Sequence, residues 1–483
     1  MLSVSKRALR VGIPSRRSTS IVSTLRYKSS WSTAVETAAR LVTPSSILKD
    51  PISLVSHEMS QLAANIGTLI GSGHPTLNRI SAYYFESQGK KIRPLLVLLL
   101  SRAISEIPLE QRNRIKIDDL DIPEQPVYEG TKSLGAILKE QNGAISPLRI
   151  LHGINPNIIL DPLTKPHETL PEFDSKRGIL PKQRRLAEIV EMIHTASLLH
   201  DDVIDNSDSR RNRPSGNIAF NNKMAVLAGD FLLGRASVSI SRLRNPEVIE
   251  LLSTSIANLV EGEFMQLKNT VFQPNEDLIE EDTKKIPQPT GAIDTKVHEY
   301  SVQAPQSIQG HEITHEQQVD AAFEYYIHKT YLKTAALLSK SSRSAAILSG
   351  ANEDVIENCY QFGRNVGLCF QMVDDILDYT QTSEALGKPG NADLKLGLAT
   401  APILFAWREN PELGELISRK FKQEGDIEIA MEQVQKFNGL VKTQKMAEDY
   451  CHKALENLRN VLPESDSRSA LEFLTNAILT RSK

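Results

Sequence analysis

From Leu186 onward the apolar positions recur mainly every three or four residues: Leu186, Ile189 and Ile193, then Leu198 and Leu199, running into His200-Asp201-Asp202. That spacing lays an apolar stripe along one side of an α-helix. The same period predicts helices over Tyr331 to Leu348, Val355 to Ile376 and Leu471 to Leu479. Alternating apolar and polar positions bounded by turns are scarce, while Ala, Leu, Glu, Lys and Gln fill the segments between breakers. The chain therefore reads as all-α.

Two stretches interrupt this pattern. Residues from about 107 to 181 carry Pro108, Pro123, Pro126, Pro147, Pro156, Pro162, Pro166, Pro171 and Pro181, too many for long helices. Residues from about 271 to 319 mix acids and lysines with Pro274, Pro287, Pro289 and Pro305, and show little apolar periodicity. Both are expected to be surface insertions in a single helical domain from 31 to 483.

The first 30 residues differ from the rest in charge. No acidic residue precedes Glu36, yet Lys6, Arg7, Arg10, Arg16, Arg17, Arg26 and Lys28 stand there among serines and short apolar residues. This is the composition of a mitochondrial transit peptide, which a negative-inside potential draws inward. It lacks the continuous apolar centre of a secretory signal. The whole chain carries a net charge of −3, and loss of the leader would make it more acidic still, so the balance speaks against nucleic acid as a partner. The longest apolar run, Leu95 to Leu100, falls far short of the roughly 18 residues that cross a bilayer. Cys359, Cys369 and Cys451 include no closely spaced pair, which argues for core thiols rather than a zinc site or a disulfide framework.

The chemistry is concentrated in two acidic motifs of equal spacing, Asp201-Asp202-Val203-Ile204-Asp205 and Asp374-Asp375-Ile376-Leu377-Asp378. On a helix the first and fifth positions lie about 40° apart and the second about 100° from the first, which is read here as three carboxylates on one side. Crowded carboxylates repel one another, and a hard divalent cation removes the conflict. Mg2+ suits the arrangement because it takes one or two carboxylates, keeps water, and leaves positions for phosphate oxygens. Two such clusters facing each other would grip one diphosphate. Cations are placed to complete a polyanion site: Lys90 and Arg93, Arg210 and Arg211, Lys329 with Thr330, and Lys388. His194 precedes Asp201 by two helical turns and shares its face.

Taken together, GKKIRP at 89 to 94, HTASLLHDDVIDNSDSRR at 194 to 211, GDFLL at 229 to 233, HKT at 328 to 330, FQMVDDILDY at 370 to 379 and GKPGNADLKLG at 387 to 397 resemble the long-chain trans-polyprenyl diphosphate synthases. With the leader, the likeness is to the mitochondrial members that make the ubiquinone side chain. Asn212 departs from the glycine usual after the arginine pair. The resemblance implies an isoprenoid synthase helical bundle around a central cavity, working as a homodimer, with a heteromer also open. It implies that Asp201, Asp202, Asp205, Asp374, Asp375 and Asp378 bind Mg2+ and, through it, an allylic diphosphate. Arg210, Lys329, Thr330, Gln371 and Lys388 would touch that diphosphate, while isopentenyl diphosphate would rest on Lys90, Arg93, His194 and Arg211. The implied reaction is ionisation, condensation and elimination.

Product length is partly legible. Helix geometry places Ser197 one turn below Asp201, about 6 Å deeper on the cavity side, with Ala196 beside it. Both are small, so the tunnel is open at that level and the expected product is C30 to C50. A product this apolar suggests peripheral contact with the inner membrane, although no amphipathic anchor helix stands out. A terpene cyclase would share the first motif but not the second. A non-catalytic subunit could afford to lose metal ligands or cations that this chain retains.

Overall fold

The computed structural model describes residues 50–72, 74–85, 91–108, 178–210, 213–268, 314–380 and 391–481. Most of both expected insertions and the whole leader lie outside these residues, as do Lys90, Arg211 and Lys388. The principal helices are α1 (Ser56–Leu69), α2 (Ile92–Ser105), α3 (Pro181–Ile204), α4 (Asn222–Ser241), α5 (Pro246–Lys268), α6 (His315–Thr330), α7 (Ala336–Leu348), α8 (Glu353–Thr380), α9 (Gly439–Val461) and α10 (Asp466–Leu479). Extended structure among the described residues is one two-residue ladder pairing β1 (Ser209–Arg210) with β2 (Arg213–Pro214).

Local chemistry sets the helix ends. Pro181 occupies the first turn of α3, where its missing N–H costs nothing, so the first expected insertion ends where the helix begins. The second ends earlier than expected. Thr314 and Gln317 cap α6 reciprocally, Gln317 N donating to Thr314 Oγ1 (3.3 Å) and Thr314 N to Gln317 Oε1 (3.0 Å). Helix continues from there through a π-helical turn at Tyr331–Ala335 into α7. The helix expected from Tyr331 thus starts sixteen residues sooner, its early part disguised by charged residues on an exposed side.

Helix α8 runs through the middle of the bundle, packed against α9 on one side and α7 on the other. Gly367 allows the closest approach, because a Cβ there would lie 2.5 Å from Ala335 Cα in the π-helical turn. Leu186, Ile189, Ile193 and Leu199 of α3 are fully buried, as the stripe requires, whereas Leu198 turns into a cavity. Helix α4 is long and apolar enough by composition to cross a bilayer, which the run-length reading missed because Gly229, Asp230, Gly234 and Arg235 interrupt it. Its Ala225, Ala228, Leu232, Ala236 and Ile240 are core residues facing inward, while Met224, Val226 and Leu227 remain exposed.

Candidate active site

A cavity of about 440 Å³ opens between α3, α4, α5 and the α6–α7 junction, a size suited to a small-molecule ligand. Its polar wall brings together Arg93, His194, Ser197, Asp201, Glu263 and Lys333, and its apolar wall includes Leu198, Leu259 and Phe264. Arg93 Nη1 lies 2.9 Å from His194 Nε2. An arginine only donates, so His194 accepts at Nε2 and is neutral in this pair. Ser197 Oγ donates to the His194 carbonyl (2.9 Å) and lines the cavity as expected. Ala196 does not: it is fully buried in the core, because it is turned about 100° from Ser197 around the helix.

The first acidic motif ends α3, but its three carboxylates do not share one side. Asp201 faces the cavity. Burial, reinforced by the Glu263 charge, pushes its pKa up to about 7 against the pull of Lys333 and Arg210. Asp202 is fully buried instead. Its Oδ2 accepts from the Tyr84 hydroxyl, and its Oδ1 from Arg210 Nε (2.7 Å) and Nη2 (2.6 Å). The 100° step from Asp201 to Asp202 is what turns it inward. Arg210 is therefore held at the motif by Asp202. Gly229 of α4 packs against the His200 ring: a Cβ there would lie 2.2 Å from Nε2, so a larger residue would push the ring aside.

The second motif, on α8, is likewise divided. Asp374 pairs with Arg481, whose Nη2 lies 2.5 Å from Oδ1 and also donates to the Phe370 carbonyl (2.8 Å). Asp375 is buried and accepts from the Tyr326 hydroxyl (2.7 Å) and Gln371 Nε2 (2.9 Å). Burial raises its pKa to about 6 despite those bonds and the nearby Lys329 charge. Both oxygens of Asp378 accept backbone N–H bonds, from Ala392 and Asp393 at 3.0 Å each, so this residue starts the short helix Ala392–Lys395.

Lys329, expected at the allylic diphosphate, faces the charges of Asp375, Asp393 and Glu263, and the lysine lining this cavity is Lys333, one turn on. Lys329 is not in the cavity wall but over the Tyr326 ring (5.8 Å), near Asp375, and Thr330 is buried. Lys333 and Thr334 line the cavity in their place. Lys333 Nζ bonds Glu263 Oε1 (2.5 Å) and Gln266 Oε1 (2.9 Å). Burial lowers its pKa, yet Glu263 and Asp201 hold it above the ordinary lysine value. Thr334 Oγ1 donates to Gln371 Oε1 (2.8 Å), and Gln371 reaches Asp375, so one short relay joins the cavity wall to the second motif. The sequence contained the signal, since the Lys-Thr at 329–330 recurs one turn later at 333–334. Glu263, Tyr84, Tyr326 and Arg481 were also not foreseen; each is far from its motif in sequence.

The donor set fits a hard divalent cation. Glu263 Oε2 is buried without a hydrogen-bond partner beside the destabilised carboxylate of Asp201. Among the described residues no three His, Cys, Asp or Glu side chains converge on one point. An ion held here would complete its shell with water and diphosphate oxygens, as Mg2+ does.

The polyprenyl synthetase family model matches residues 168–293 and 295–434. The mitochondrial hexaprenyl pyrophosphate synthase of Saccharomyces cerevisiae is 63% identical over 460 residues, which are 95% of this chain and 96% of that protein. The chain belongs to the polyprenyl synthetase family. It is a prenyltransferase of the long-chain polyprenyl diphosphate synthase type, and isoprenoid diphosphates are its substrates. Decaprenyl-diphosphate synthase subunit 1 of Schizosaccharomyces pombe is a more distant relative, 38% identical over 89% of this chain and 91% of that one. The mitochondrial destination read from the leader agrees with the names of the yeast and other fungal relatives. Among solved structures, a polyprenyl synthase from Caulobacter crescentus complexed with calcium and isoprenyl diphosphate superposes with a TM-score of 0.60. At 23% identity, covering 91% of this chain and 100% of that one, it supports the helical fold. The Arabidopsis medium/long-chain prenyl pyrophosphate synthase gives 0.53 at 30% identity, over 90% and 100% of the two chains. Polyprenyl synthases use a divalent metal ion.

Proposed function

We propose that this synthase extends an allylic diphosphate primer with isopentenyl diphosphate to an all-trans hexaprenyl diphosphate, C30, for the ubiquinone side chain, using Mg2+. The observation that carries the reading is the polar wall of the cavity, where Asp201 and Glu263 crowd together beside Lys333 and Arg210, above apolar walls that continue past small Ser197. Asp201, Glu263 and Asp374 would hold Mg2+, with Asp205 near the first group. When bound, Mg2+ supplies Lewis-acid stabilisation of the departing diphosphate.

The residues of the chain do the rest. Lys333, with Arg210, places positive charge where the allylic leaving group develops negative charge. Thr334 and Gln371 orient that end of the site through their hydrogen bond. Arg93, supported by His194, holds isopentenyl diphosphate so that its double bond meets the allylic carbon. Leu198, Leu259 and Leu337 keep water from the allylic cation. The released diphosphate accepts the proton lost in the final elimination.

Met224, Val226 and Leu227 of α4 and Val260 and Phe264 of α5 are exposed apolar residues, and Val226, Val260 and Phe264 also line the cavity. We read that face as the contact with a second copy of the chain, with peripheral membrane contact at product release. Sizing the products formed from farnesyl diphosphate, excess isopentenyl diphosphate and Mg2+ tests the function. A C30 product supports it, whereas arrest at C15 or C20, or no extension, refutes it.

A further inference from the structure

Asp202 is fully buried, and its two oxygens are held from different sides, by Tyr84 and by Arg210. Tyr84 is the key neighbour. Its hydroxyl accepts from the Gly216 backbone N–H (2.7 Å) and contacts Asp202 Oδ2. A backbone amide can only donate, so the single hydroxyl proton of Tyr84 is directed to Asp202. Asp202 Oδ2 accepts on that side. The opposite oxygen, Oδ1, is left to take two N–H bonds along one edge of the Arg210 guanidinium. Burial and the Asp202 charge raise the Tyr84 pKa, so the phenol keeps its proton. Tyr84 itself is 4% exposed and does not line the cavity.

We propose that Tyr84 is a positioning residue for the allylic diphosphate, acting through Asp202 to aim Arg210 into the site. This rests on the reading of Arg210 as an allylic-diphosphate ligand. The relay Gly216 N–H, Tyr84 hydroxyl, Asp202 carboxylate, Arg210 guanidinium has one direction of donation, so removing the hydroxyl frees the Asp202 side chain to rotate. Arg210 then loses its fixed orientation without losing its charge. The same logic predicts that only the allylic half of the reaction responds, because Arg93 and His194 form a hydrogen-bonded pair of their own.

The test is steady-state kinetics on the full chain carrying Tyr84→Phe, with farnesyl diphosphate, isopentenyl diphosphate and Mg2+. The KM for farnesyl diphosphate is expected to rise about tenfold, the size of one lost hydrogen bond to a charged group. The KM for isopentenyl diphosphate stays within about twofold. Added to Arg210→Ala, the Tyr84→Phe change produces no further rise, since its effect passes through that arginine. Equal increases in both KM values, an unchanged farnesyl diphosphate KM, or multiplicative effects in the double variant would overturn the proposal. Should Tyr84→Phe fail to fold, Asp202→Asn replaces it: the amide oxygen still accepts from Tyr84 but the charge facing Arg210 is gone. The same selective rise is then required, and a non-selective one overturns the idea. A wild-type chain that extends no primer would instead refute the functional reading and is recognised before any variant is made.

Discussion

Asp201→Asn should make the metal-free protein more stable while destroying its turnover. In the folded chain burial beside Glu263 pushes the Asp201 pKa up to about 7, from 3.8 for an ordinary aspartate. A carboxyl whose pKa is raised by folding favours the folded state only while it is protonated. That advantage is complete below about pH 4 and is lost as pH rises through 7. At pH 8 the ionised group therefore carries the full penalty. Roughly three pKa units correspond to about 4 kcal/mol as an upper bound. Water at the cavity mouth reduces the gain to about 1 to 2 kcal/mol, or a few degrees in Tm. Differential scanning calorimetry in chelator, from pH 5 to 8, should show the variant's advantage growing with pH. Mg2+ with inorganic diphosphate should then raise the wild-type Tm more than that of the variant, and turnover should fall by at least about 10³. A variant less stable than wild type at pH 8 in chelator, or an advantage that does not change with pH, would refute the reasoning.

Lys333→Ala should raise the KM for the allylic diphosphate at least about tenfold. Lys329→Ala should mainly lower Tm, because it leaves Asp375 without its nearby charge; steady-state kinetics and calorimetry separate the two. Ser197→Phe should shorten the product toward C15, read by chromatographic sizing, since an aromatic ring would fill the cavity one turn below Asp201. Gly229→Ala should cost about 1 to 3 kcal/mol by forcing the His200 ring aside, and His200→Ala in the same chain should recover most of it in a denaturant titration.

Helical class, the helical run into the first acidic motif, and the shared face of His194, Ser197 and Asp201 were legible because each follows from a 3.6-residue period and nearby residues. What the period could not supply was the partner of each group. Asp202 meets Tyr84 across 118 positions, Asp375 meets Tyr326 across 49, and Asp374 meets Arg481 across 107. Those pairings depend on how distant helices pack. The reading of three carboxylates on one side failed on arithmetic already available, because a second aspartate turned by about 100° points into the bundle rather than along the cavity. Lys333-Thr334 was not singled out from the sequence for a similar reason. Two identical dipeptides one turn apart look alike in sequence, and the π-helical turn at Tyr331–Ala335 shifts the helix face that would have distinguished them. Gly229 was noted only as part of a motif; its reason appeared once the His200 ring was seen against it.

The central claim is that the two acidic motifs hold one diphosphate through divalent cations. Electron paramagnetic resonance titration of Mn2+ into the protein with inorganic diphosphate measures it directly. The account predicts more than one Mn2+ bound per chain, with Asp201→Ala and Asp374→Ala each removing at least one of them and leaving the fold intact. Binding of a single Mn2+ that is unaffected by Asp374→Ala would contradict it.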